Sequence, residues 1–80
     1  MKARIIVTLK PGVLDPQGKA IEGALAALGF AGVVGVRQGK VFDVEIAETD
    51  RAEAEAALAA MCERLLANTV IEQYEVVLDD

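Results

Sequence analysis

Histidine and tryptophan are absent from the 80 residues, and the chain has a single cysteine, Cys62, one tyrosine and two phenylalanines. Without histidine it lacks the commonest neutral-pH acid/base and the commonest metal ligand. One cysteine forms no internal disulfide, and there is neither a Cys-x-x-Cys pair nor a glycine-rich phosphate loop. Few aromatics means few platforms for stacking bases, and 13 acidic against 8 basic residues, a net charge of -5, argue against a nucleic-acid or anionic-membrane partner. No apolar run approaches the ~20 residues that span a bilayer, and the run after Met1-Lys2-Ala3-Arg4 is too short for a signal peptide. A reduced, soluble, cytoplasmic protein is expected.

What is abundant is aliphatic: 54% of residues are hydrophobic and only 4% aromatic. A domain this small buries only roughly 60% of its unfolded surface, and no disulfide or metal staples it. Oligomerisation is the natural way to bury the excess. With no internal repeat, low-complexity segment or linker, residues 1–80 read as a single domain.

From Ala3 to Lys10 the odd positions Ala3, Ile5, Val7 and Leu9 are apolar and most of the others polar, the period of a strand with one buried face. Ile6 breaks the alternation on the outer face. The strand should end at Pro11, which has no N–H for a ladder. Asp15-Pro16 then supplies an N-cap acceptor and a proline whose fixed φ suits the first helical position. Between them Gly12-Val13-Leu14 puts two apolar side chains on a connection, the first sign of a contact surface.

Ile21, Ala24, Leu25 and Leu28 recur at helical spacing, so one stripe is expected to face the sheet, with Gly23, Ala26 and Ala27 on the far side. Gly29 and Phe30 fit a Schellman ending, Phe30 folding back on Leu25. In Val33 to Ala47 the residues Val34, Val36, Phe42, Val44 and Ile46 share one parity. A three-residue loop Gln38-Gly39-Lys40, with Gly39 left-handed, would pair Val36 with Phe42 and Val34 with Val44. Two strand segments are the favoured reading. One continuous strand reaching into a neighbouring subunit's sheet keeps the same parity and stays open.

Thr49 or Asp50 caps a second helix, Asp50 and Glu53 having capping-box spacing. Its inner face is expected to be Ala54, Leu58, Met61 and Leu65, flanked by Ala57 and Cys62, while Glu48, Glu55 and Glu63 read as solvated charge. Asn68 is a candidate left-handed terminator. Val70 to Leu78 alternates again, with Tyr74, Val76 and Leu78 on one parity and Val77 an apolar exception on the other. This order predicts an α+β ferredoxin-like sandwich: strand, helix, strand or hairpin, helix, strand, with two helices on one face of an antiparallel sheet. Ile6, Val41 and Val77 call for a partner on the other face, joining sheets between subunits.

No catalytic constellation is present. Cys62 lies among Leu58, Met61 and Leu65, the setting of an inert buried thiol. Asp15 is explained as an N-cap, and neither Glu53 with Glu63 nor Asp79 with Asp80 has the partners of a metal site. Lys10, Lys19, Arg37 and Lys40 admit two readings: solvated ends of strands, or basic groups at two loops where a negatively charged partner docks.

The runs Thr8-Leu9-Lys10-Pro11-Gly12-Val13-Leu14-Asp15-Pro16-Gln17-Gly18, Leu28-Gly29-Phe30, Val36-Arg37-Gln38-Gly39-Lys40 and Cys62-Glu63-Arg64-Leu65-Leu66-Ala67-Asn68, with Val70-Ile71-Glu72, resemble PurS, the small subunit of phosphoribosylformylglycinamidine (FGAM) synthase. Thr69 departs from it, the family frequently having proline there. The resemblance implies a subunit of a glutamine-dependent, ATP-consuming carbon-nitrogen ligase of purine biosynthesis, with no activity expected of the chain alone. It would bridge a glutaminase subunit and a large synthetase subunit and assist ammonia transfer as formylglycinamide ribonucleotide becomes formylglycinamidine ribonucleotide. It would form a homodimer or tetramer by joining sheets, bind no metal or cofactor itself, and leave ATP and magnesium to the large subunit. The motif residues carried over are Lys10, Pro11, Gly12, Asp15, Pro16, Gln17, Gly18, Arg37, Gly39, Lys40 and Asn68, as partner contacts or loop-shaping groups.

Two other classes are weighed beside it, the first of which shares the element order. An ACT-like regulatory module would bind an amino acid at a dimer interface near Gly12-Val13-Leu14. An acylphosphatase-like enzyme would turn over substrate unaided.

Overall fold

The computed structural model describes residues 1–79; Asp80, and with it the Asp79 with Asp80 pair, lies outside the described residues. Strand β1 is Lys2–Leu9, helix α1 Pro16–Ala27, strand β2 Gly39–Glu45, helix α2 Arg51–Met61 and strand β3 Glu72–Asp79. The sheet order is β2-β1-β3, with β1 antiparallel to both neighbours. This is the β-α-β-α-β order read from the sequence.

Alternation along the strands builds the core. Ile5 stands opposite Phe42 on β2 and Val76 on β3, and Ala3 opposite Val44 and Leu78. With Val7, these β1 residues are buried against Leu58, Cys62 and Ala67 of the α2 layer. Complete burial of Ile5, Val7 and Leu58 stabilises the fold by about 1.5–3 kcal/mol for each side chain. On the outer face Ile6 opposes Val41, while Arg4 opposes Asp43 and pairs with it at 2.9 Å.

Both helix starts follow the capping chemistry. Asp15 accepts the Gly18 N–H at 2.8 Å with Pro16 next in line, and Asp50 accepts the Glu53 N–H at 3.0 Å. Glu48 is not simply solvated charge: its Oε1 accepts the N–H groups of Thr49 and Asp50 at 2.9 and 3.0 Å, which holds its carboxyl below the usual range. At the end of α1, Phe30 N–H reaches Leu25 C=O at 3.0 Å and Gly29 N–H reaches Ala26 C=O at 3.1 Å, with Gly29 at φ +97°. That is a complete Schellman ending.

The stripe of α1 does not lie on the chain's own sheet. Gly18 alone is buried in this helix, Leu28 is 74% exposed and Phe30 58%. Nor does a hairpin form in residues 33–47. Ladder pairing begins at Gly39, and Val34, expected opposite Val44, is 99% exposed. Helix α1 and the returning segment 28–38 thus form an arm lying off the sheet. The molecule measures 49 × 25 × 15 Å with a radius of gyration of 16.0 Å, where a compact chain of this length has about 12 Å.

Beyond Met61 the helix widens into a π turn, Cys62–Leu66, closed by Ala67 N–H to Cys62 C=O at 3.0 Å. One extra residue in the turn shifts the phase of the inner face. Leu66 packs against the core in place of the expected Leu65, which is 83% exposed. Asn68 is not left-handed either. Its Oδ1 accepts the Val70 N–H at 3.2 Å, and its carbonyl accepts from Ile71 and Glu72, turning the chain by hydrogen bonds instead.

Candidate functional site

Three connections meet at one end of the sheet: Lys10 to Asp15 after β1, Val36 to Gln38 before β2, and Asn68 to Ile71 before β3. The first begins where Pro11 ends β1. Val13 N–H closes onto Lys10 C=O at 3.1 Å with Gly12 at φ +86°, the proline-then-glycine order of a type II turn. Lys10 N–H donates to Ile71 C=O at 2.8 Å, tying the first connection to the third.

Asp15 ties the first connection to the second. Its Oδ1 serves α1 through Gly18, and its Oδ2 accepts the Gln38 N–H at 2.7 Å. The Gln38 and Gly18 donors, in that order, hold its carboxyl below the usual carboxylate range, with the nearby Arg37 charge acting the same way. A buried, doubly bonded and lowered carboxylate is a shape-holding group and a poor general base. Arg37 reinforces it, donating from its two terminal nitrogens to Val13 C=O at 2.8 Å and Lys10 C=O at 3.2 Å.

Glycine is required where backbones touch. A Cβ on Gly18 would collide with the carbonyl oxygen of Val36. Gly39 is not left-handed, as a hairpin loop would have made it; a Cβ there would stand 2.6 Å from Val7 C=O. Its bare backbone instead lets β2 enter the ladder beside β1.

The basic residues are largely engaged. Lys19 pairs with Glu22 at 3.3 Å, and Lys40 pairs with Glu72 at 3.6 Å while lying 5.9 Å over the Phe42 ring. A cleft of about 500 Å³ opens beside this junction, lined by Thr8, Asp15, Gln17, Gln38, Lys40 and Glu72 among others. Pro16 and Gln17 form its α1 wall, whereas Asn68 stands outside it and connects through Glu72, whose Oε1 accepts the Asn68 N–H at 2.6 Å. Thr8, Gln38 and Glu72 stand in the runs quoted above, but the sequence assigns them no site role. Glu72, four residues after Asn68, carried a readable signal; Gln38 acts through its backbone N–H, which no side-chain pattern marks.

The junction has no nucleophile-base pair, and no group of three or more His, Cys, Asp or Glu that could hold a metal occurs among the described residues. Cys62 is buried, and burial pushes its thiol up, away from the reactive thiolate. Among the described residues, no helix is long and apolar enough to cross a membrane. The junction combines hydrogen-bonded loops, a cleft walled by both polar and apolar residues, and an exposed apolar arm.

The family model for PurS, phosphoribosylformylglycinamidine (FGAM) synthase, matches residues 2–80. The chain is similar to the PurS subunit of phosphoribosylformylglycinamidine synthase from Synechocystis, 51% identical over 71 residues that cover 89% of this chain and 71% of that protein. It is similar in structure to PurS of Bacillus subtilis, with a TM-score of 0.91, 42% identity, and 99% of this chain and 98% of the other covered. A further likeness is to the structure of PurLQS from Thermotoga maritima, with a TM-score of 0.87, 34% identity, and 95% and 93% of the two chains covered. The chain belongs to the PurS family.

Proposed function

We propose that this PurS-family chain is the small, non-catalytic subunit of FGAM synthase in purine biosynthesis. It bridges the glutaminase and the ATP-dependent synthetase subunits and assists ammonia transfer between them. The observation that carries this reading is the likeness to a chain of the Thermotoga maritima PurLQS structure, which covers 95% of this chain and 93% of the other. ATP and magnesium belong to the large subunit, and the assembly works in the cytoplasm. Residues 1–80 act as one domain.

Within that assembly the junction is the docking element. Lys10, Pro11, Gly12, Asp15, Pro16, Gln17, Gly18, Arg37, Gly39, Lys40 and Asn68 give it shape or contact the partner. Its support is physical: Asp15 and Arg37 fix the loops, so little conformational entropy is lost when a partner engages them. A second copy of the chain covers the arm. Leu28, Phe30 and Val34 are too exposed for a lone soluble chain, and β2 and β3 each present an open edge.

Mixing the purified glutaminase and synthetase subunits, with and without this chain, tests the bridge by size-exclusion chromatography. A joint peak that forms only when the chain is present is the expected result. Joint elution of the two large subunits without it would overturn the bridging role.

A further inference from the structure

We draw no further inference here: the strongest candidate, the outward face of the sheet where Ile6, Val41 and Val77 lie beside the Arg4–Asp43 ion pair, carries nothing because nothing in the structure shows what covers it.

Discussion

Asp15 reaches across 23 positions of chain to accept the backbone N–H of Gln38 at 2.7 Å, fastening the start of α1 to the start of β2. The arm is fastened at its base by the Asp15 and Arg37 side chains. Because the folded-state pKa of Asp15 is lowered, its contribution is present above the unfolded value near 4 and is lost as pH falls through the folded value. Replacing Asp15 by Ala removes both acceptors and should lower the melting temperature at pH 7 by about 5 °C. Thermal scans from pH 7 down to pH 3 should show the gap between Asp15→Ala and the parent narrowing below about pH 4. A gap that stayed constant would contradict this role for the carboxylate.

The π turn makes neighbouring leucines unequal. Leu58, fully buried, should cost about 2–5 kcal/mol when cut to Ala, whereas Leu65→Ala should stay within about 0.5 kcal/mol. Urea unfolding of the two variants checks the assignment. Equal losses would mean that the helix runs on in α phase through Cys62–Leu66.

That phase slip also shows what a sequence conceals. Capping and alternation were legible because they are local: Asp15-Pro16, Asp50 with Glu53, Gly29-Phe30, and the parity of Ile5, Val7, Tyr74 and Val76 each fix geometry within a few residues. Leu65 points away from the core because the π turn, which has no side-chain signature, brings Leu66 and Ala67 there instead. The hairpin over Val34 to Val44 failed for a related reason. Parity cannot distinguish a strand paired within its own chain from one left extended, and Gly39, read as a turn residue, is there for close approach to Val7. Of the junction, Asp15 was recognised as an N-cap, but its second bond to Gln38 joins parts of the chain that only the fold brings together.

The arm leads to a prediction about assembly. Sedimentation equilibrium of the isolated chain at micromolar concentration should give a dimer or larger species. A Leu28→Ser, Phe30→Ser double variant should weaken that association at least tenfold, since each removes a large exposed apolar group. A monomeric parent would refute the second copy on the arm.

The central claim is that this chain enables ammonia made at one subunit to be used at another. Product formation by the synthetase and glutaminase subunits, measured with glutamine and separately with external ammonia, tests it most directly. With this chain present, glutamine should support turnover; without it, glutamine-dependent turnover should collapse while glutaminase and synthetase remain intact proteins. Glutamine-dependent turnover that is unchanged when the chain is omitted, with external ammonia serving equally well, would contradict the account.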